Sequence, residues 1–355
     1  MVDIADGCAG ISGEEEKVRR VSVNIVNWNG LQYLRDCIES VQEQTYGNIE
    51  IVVVDNGSSD GSIDYLQESC PHIRLVKNNR NEGFSRAHNQ AIRMASGAYI
   101  LPLNFDIVLD SHFVEEMVNA IEWAPEIGIV SGCLYLLNGS EGKRVFDSTG
   151  ITMNGMFPAD RGQQIIDSGQ YSQVEFIFGA SGAAPLLKRK MLEDIKMDEE
   201  YFDEDYRIYV EDVDLCWRAQ MHGWKALYTP QAIAYHKRGA TRENNLTMMK
   251  EYVLLGHRNR YWTILKNAML SNLLRNFAWI LLVEWRFYLG HLLEGNYFVI
   301  KTIPMVIGGL RRMLSKRNEI QRRRKVSADY MERFLFDELK RSLKATVTKR
   351  LHGKA

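Results

Sequence analysis

Seven prolines in 355 residues, five cysteines and no uncharged stretch near bilayer length set the first limits. The 27 glycines follow no Gly-X-Y period, and hydrophobic residues make up 45% of the chain. Collagenous, low-complexity and wholly disordered classes are therefore excluded. The cysteines (Cys8, Cys37, Cys70, Cys133 and Cys216) are odd in number and form no CxxC pair. Neither a disulfide framework nor a structural zinc site is indicated, and a reducing compartment is expected. The opening MVDIADGCAGISGEEEK is acidic and lacks a basic region before an apolar core. It does not read as a signal peptide, so the expected location is cytoplasmic.

What is present is a chain long enough for one large domain or two medium ones. A net charge of −1 conceals an uneven division: residues 266–355 hold 19 Lys and Arg against 7 Asp and Glu. Such asymmetry points the tail toward an anionic surface.

Residues 1–20 read as a loose tail. From Val21 to about Leu136, β-rich runs at 21–27, 49–55, 73–76 and 98–104 alternate with helical periodicity at 31–44, 83–95 and 111–122. This rhythm predicts an α/β fold: a mixed, mostly parallel central sheet with helices on both faces. Residues 137–180 are Gly-rich and polar, with mixed strands. Helical patterning returns near 187–194 and 212–222, before strand-like runs at 224–228 and 232–236. The last 90 residues are helical, basic and aromatic.

Ligands of such sheets bind at the carboxyl ends of the strands. Polar clusters lie at three of those ends: Asn27-Trp28-Asn29-Gly30, Asp55-Asn56-Gly57 and Asn104-Phe105-Asp106. Asp55 suits a ribose or a base N–H, and equally a turn or helix cap. Asp106 suits a hard divalent cation that bridges two phosphates, and equally the cap of the 111–122 helix, for which Asp110 and Ser111 are better placed. Nine carboxylates crowd 198–214, interrupted by Tyr201, Phe202, Tyr206, Ile208, Tyr209 and Val210. Charge runs are usually solvated faces, but these apolar interruptions point to partial burial. Glu211 and Asp212 open a helix, where Asp212 could cap or act as a general base. His236 ends an apolar strand and gains meaning only if it meets Asp106.

Taken together, VSVNIVNWNG, VVVDNGSSDGS, NNRNEGFSRAHNQAI, LPLNFDIVL, FGASGAAPLLKRKML, YFDEDYRIYVEDVDLCWRAQMHGW and AYHKRGAT, in order over about residues 21–240, resemble family 2 inverting glycosyltransferases of the GT-A fold. They resemble in particular the rhamnosyltransferase-like branch that builds bacterial surface polysaccharides. The resemblance implies that Val26, Asn27, Asn29 and Asp55 hold the nucleoside, with Asp55 on the base. Asn81 and Arg86 would line the donor site. Asn104 and Asp106 occupy the place of the family's DxD motif, with Asp106 a ligand of a divalent cation (Mg²⁺ or Mn²⁺) and His236 a second ligand. Asp212 would be the catalytic base, with Glu211 in reserve. Two departures are Asn104, in place of the motif's first acid, and Phe105, where this branch often has proline.

The expected reaction is one in-line displacement. A base takes the acceptor proton as its oxygen attacks the anomeric carbon and the diphosphate leaves from the opposite face. The expected donor is dTDP-L-rhamnose, with UDP- and GDP-sugars as alternatives, and the expected acceptor is a polyprenyl-diphosphate-linked saccharide. A processive synthase would carry QxxRW and spanning helices, a nucleotidylyltransferase a GxGTR-like loop; a non-catalytic sugar- or lipid-binding scaffold is the remaining alternative. The division that follows is a tail (1–20), a nucleotide-sugar half (21–136), an acceptor and catalytic half (137–265) and a helical region (266–355). In that last region Trp279, Trp285, Phe287, Tyr288, Tyr297 and Phe298 accompany Arg311, Arg312, Lys316, Arg317 and Arg322–Lys325. This mixture favours lipid over nucleic acid. It predicts peripheral attachment at the inner face of the membrane, or packing on the catalytic domain or a second subunit in a homodimer.

Overall fold

The computed structural model describes residues 18–137, 139, 142–238 and 246–336. Strands β1 (Val21–Asn27), β2 (Ile49–Asp55), β3 (Arg74–Lys77) and β4 (Tyr99–Asn104) are parallel, in the spatial order β3-β2-β1-β4. Helices α1 (Leu31–Gln42), α2 (Ser62–Ser69) and α3 (Phe84–Met94) connect them. Chain order reverses across β1, since β2 lies on one side and β4 on the other. A crevice therefore opens at their carboxyl ends.

The sheet continues through β5 (Ile107–Leu109), α4 (Phe113–Glu122), β6 (Ile127–Leu136) and β7 (Phe146–Ser148). A short hairpin, β8 (Ile151–Met153) with β9 (Pro158–Asp160), stands outside it. Then come β10 (Glu175–Ile177), β11 (Leu186–Lys188), α5 (Arg189–Ile195), α6 (Glu211–Met221) and β12 (Lys225–His236). Antiparallel β11 joins β4 to β6, and β6 pairs in parallel with β12, so one mixed sheet runs from residue 21 to 236. The two strand-like runs near 224–236 are one strand with a register shift between Tyr228 and Ile233.

Side-chain alternation divides the core between two faces. Along β4, Leu101 and Leu103 meet Leu34, Ile38 and Phe113 on one face, while Ile100 joins Met191, Leu215 and Trp217 on the other. Each fully buried side chain of this kind contributes roughly 1.5–3 kcal/mol.

Beyond the sheet lie α7 (Leu246–Asn267), α8 (Leu270–Arg275), α9 (Phe277–Leu293), α10 (Thr302–Arg323) and α11 (Ala328–Leu335). Helix α7 runs unbroken through residue 265. A buried ionic cluster fastens it to α6: Lys266 Nζ lies 2.5 Å from Asp203 and 2.9 Å from Asp214, and Arg218 Nε lies 2.9 Å from Asp214. From α10, Lys316 reaches Asp203 at 2.6 Å and Asp205 at 3.0 Å. These contacts absorb much of the acidic run read from the sequence. In contrast, α9 buries no residue; Phe277, Leu281, Leu282, Trp285 and Leu293 are exposed. Among the described residues no helix is long and apolar enough to cross a membrane. The expected tail at 1–20 falls largely outside the described residues, as does the chain beyond 336.

Candidate active site

A cavity of about 630 Å³ opens at the carboxyl ends of β1 and β4. Val26, Asn81, Asn104, Asp106, Glu211, Asp212 and His236 line it together, although 210 residues separate the first from the last. Phe105, between the DxD-like positions, packs on Gly30: a Cβ at Gly30 would fall 2.4 Å from the Phe105 ring and 2.6 Å from Asn27 Oδ1. The glycine of the first motif thus seats the third motif.

Strand pairing brings His236 to Asp106. Antiparallel β5 sets Ile107 opposite His236, and Lys237 N–H donates to the Asp106 carbonyl at 3.0 Å. His236 Nε2 then lies 3.3 Å from Asp106 Oδ1, and Nδ1 lies 2.7 Å from Asp147 Oδ2. Arg238 holds the other oxygen of Asp147 at 2.5 Å. Burial alone would lower the His236 pKa, but Asp106 and Asp147 together outweigh it and raise it to about 9. A proton and a cation would therefore compete for Nε2, because only a neutral imidazole can ligate. Among the described residues no three His, Cys, Asp or Glu side chains converge as a complete metal cage. The pair Asp106–His236 nevertheless fits a divalent ion that draws its remaining ligands from a diphosphate, and Asp147 orients the imidazole as the second shell of such a site does.

On the same cavity wall, Asp212 Oδ2 accepts the Gly182 N–H at 2.8 Å and Oδ1 accepts its own neighbour's N–H, from Val213, at 2.8 Å. Burial raises its pKa to about 6, opposed by the Gly182 hydrogen bond. Glu211 differs. It is buried, Oε2 has no hydrogen-bond partner, and burial followed by the Asp212 charge pushes its pKa well above the carboxylate range. Burial thus holds Glu211 toward its protonated form more strongly than it holds Asp212.

The turn before α6 is strained. Arg207, Tyr209 and Val210 have φ of 60°, 68° and 70°. Such conformations cost non-glycine residues on the order of 1–3 kcal/mol each, and most for a β-branched side chain such as Val210.

Four expected donor contacts lie elsewhere. Asn27 and Asp55 are fully buried behind the cavity. Asp55 Oδ2 accepts from Asn27 Nδ2 at 2.9 Å and Oδ1 from the Ser58 N–H at 2.8 Å, so each carboxylate oxygen holds a partner within the turn. Asn29 is exposed, and its Oδ1 accepts the Ser59 N–H at 2.8 Å. Arg86 points away along α3 toward Glu82 and Glu204. Asp60 serves the helix ends: Oδ2 accepts the Leu31 N–H and Oδ1 the Ser62 N–H. Instead, Trp28 and Asn56 join Val26 and Asn81 on the wall. Sequence reasoning also missed Asp147, Asp160, Arg238 and the Gly182 N–H. The only local hint was the cationic sequel to His236; Asp147 sits in an undistinguished polar stretch.

Residues 22–194 match the family described as Glycosyl transferase family 2. The poly-beta-1,6-N-acetyl-D-glucosamine synthase of Staphylococcus epidermidis is 23% identical over 284 residues, 78% of this chain. The chain spans 64% of that relative's length. Among solved structures, the mannosyltransferase PcManGT from Pyrobaculum calidifontis, in complex with GDP-Man and Mn²⁺, aligns with a TM-score of 0.51 at 17% identity, covering 97% of this chain and 90% of that one. GalNAc-T7 with UDP, GalNAc and Mn²⁺ aligns with a TM-score of 0.52 at 16% identity, covering 71% and 51%. At such identities the structural likeness is one of fold. The mostly parallel sheet is thus GT-A-like, and residues 22–194 are similar to the Glycosyl transferase family 2 domain.

Proposed function

We propose that this protein is an inverting glycosyltransferase that moves a sugar from a nucleotide diphosphate onto a hydroxyl of a lipid-linked saccharide. The observation that carries the reading is the meeting, in one cavity, of the Asp106–His236 pair with the Asp212 carboxylate, which is hydrogen-bonded to the Gly182 N–H. The nucleoside end of the donor is assigned to the wall of Val26, Trp28, Asn56 and Asn81. Asp55 and Asn27 act from behind by fixing the turn that carries Asn56. Asp106 and His236 would hold a divalent cation, which when bound neutralises the charge of the departing diphosphate. Asp212 accepts the proton of the acceptor hydroxyl; the Gly182 N–H keeps its carboxylate aimed at the cavity. With Asp212 as base, the acceptor oxygen attacks the anomeric carbon in a single displacement, which inverts it.

The motif resemblance favours dTDP-L-rhamnose as donor, and the two structural neighbours hold a GDP-sugar and UDP with a sugar. We assign donor binding to 21–136, acceptor binding and catalysis to 137–265, and membrane contact to 266–355. Support for the last comes from Phe277, Leu281, Trp285, Leu293, Tyr297 and Ile307, all exposed on helices that also carry Arg286, Lys301 and Arg311. An apolar and aromatic surface edged by cations suits an anionic bilayer interface.

The deciding experiment measures nucleoside diphosphate release from dTDP-, UDP- and GDP-sugars with Mg²⁺, Mn²⁺ or EDTA, using a polyprenyl-diphosphate saccharide pool as acceptor. Cation-dependent release from one donor is expected. Saturable nucleotide binding without release from any donor would favour a binding scaffold.

A further inference from the structure

We infer that Asn259, on α7 and outside the sheet, is a positioning residue for Asp212: its amide fixes the strained turn from which α6 starts. The inference rests on the reading of Asp212 as the base.

Asn259 is fully buried. Its Nδ2 donates to three carbonyls of one turn: Tyr206 at 3.0 Å, Ile208 at 2.8 Å and Tyr209 at 2.8 Å. Its Oδ1 accepts from Arg258, Nη2 at 2.8 Å and Nε at 3.0 Å. The guanidinium thereby fixes which end of the amide faces the turn. Arg258 also donates to the Asp205 carbonyl at 2.9 Å and lies over the Trp262 ring, 4.1 Å from its centroid.

The turn needs such a clamp. Positive φ at residues 207, 209 and 210 drives neighbouring carbonyls inward to one point, where unpaired they would repel one another. A primary amide supplies donors to that point without adding charge. The consequence passes directly to the site. The Val210 carbonyl accepts the Asp214 N–H at 3.0 Å and so starts α6, in which Asp212 is the second residue. The Arg207 carbonyl accepts the Phe84 N–H at 2.6 Å, and Phe84 also lines the cavity. Relaxation of the turn would swing Asp212 away from the Gly182 N–H while leaving Asp106, in the turn between β4 and β5, and His236, at the end of β12, where they are.

The test compares Asn259→Ala with a control on another helix, Asn272→Ala, which removes buried hydrogen bonds to Glu332 and the Ala328 carbonyl but touches nothing in the site. Urea midpoint, Mn²⁺-dependent binding of nucleoside diphosphate, kcat, KM and the pH profile are measured for both. Asn259→Ala should lose about 100-fold in kcat, the effect of roughly 1 Å of misplacement, with nucleotide affinity near wild type. The acidic limb of its kcat profile should leave the wild-type position, and Asn272→Ala should lose stability with that limb unmoved. Unchanged kcat and limb in Asn259→Ala, or losses of kcat that follow stability equally in both variants, would overturn the inference. Asp212→Asn run alongside separates the two readings. If it is inactive while Asn259→Ala is normal, only the positioning role falls; if it turns over like wild type, the base assignment falls and the positioning role with it.

Discussion

The two ends of the cavity are held by different physics. At the donor end, β1, β2 and β4 are fixed by apolar burial and by short-range turn bonds such as Asp55 to Ser58 and Asp60 to Ser62. At the base end, the turn before α6 is fixed by polar groups from more than 40 residues away: Asn259, Lys266 and Lys316. The first arrangement tolerates local change, because hydrophobic burial is non-directional. The second does not, because a buried charge or strained carbonyl left without its partner keeps its full desolvation cost. The helical region is therefore part of the frame that holds this wall of the cavity.

That contrast can be broken by experiment. Lys266→Met leaves Asp203 and Asp214 buried without their shared ammonium, and should cost about 3–5 kcal/mol by urea denaturation. A loss equal to that of an ordinary surface lysine would remove the distinction. The same network sets an acid dependence. Despite burial, Lys266 and Lys316 hold the Asp203 pKa below its ordinary value. Its stabilisation is complete above the unfolded pKa near 4 and is lost as pH falls toward the depressed folded value. Wild-type stability should therefore fall in acid with a slope that Lys266→Met reduces.

Asp147→Asn probes the cation site from behind and should weaken Mn²⁺-dependent nucleotide binding about 10–100-fold, the range for an outer-shell partner of a ligating histidine. Binding that is unchanged would place the cation elsewhere. The pH profile sharpens the base assignment. Asp212 must be ionised, so kcat should fall as pH drops below about 6, the value to which burial raises it. The smallest effect is expected at the periphery. Trp285→Ala, with its side chain 63% exposed in the native fold, should leave stability untouched and reduce sedimentation with anionic vesicles. Equal loss of binding to neutral vesicles would argue against the role of the flanking cations.

The sequence made the first half of the sheet legible because its signals are local. Strand and helix periods located β1, β2, β4, α1 and α3 to within a few residues, and the Asn104–Asp106 segment lies at a strand end as expected. The meeting of His236 with Asp106 needed the β5–β12 pairing, which no local pattern announces. Asp55, which the motif resemblance places on the base and a turn reading places in a loop, is hydrogen-bonded within the turn to Asn27 and Ser58. Asn259 was invisible, since a lone asparagine in a helix says nothing about a turn some 50 residues earlier. Long-range polar pairing, which sets the base end, leaves little trace in periodicity.

The most direct measurement is donor binding and turnover in Asp212→Asn beside wild type, with Mn²⁺ and a lipid-linked acceptor present. Nucleotide-sugar affinity close to wild type with turnover lowered about 10²–10⁴-fold is the expected result, the range for loss of a general base. Turnover near the wild-type rate would contradict it, and with it the assignment of this cavity wall to catalysis.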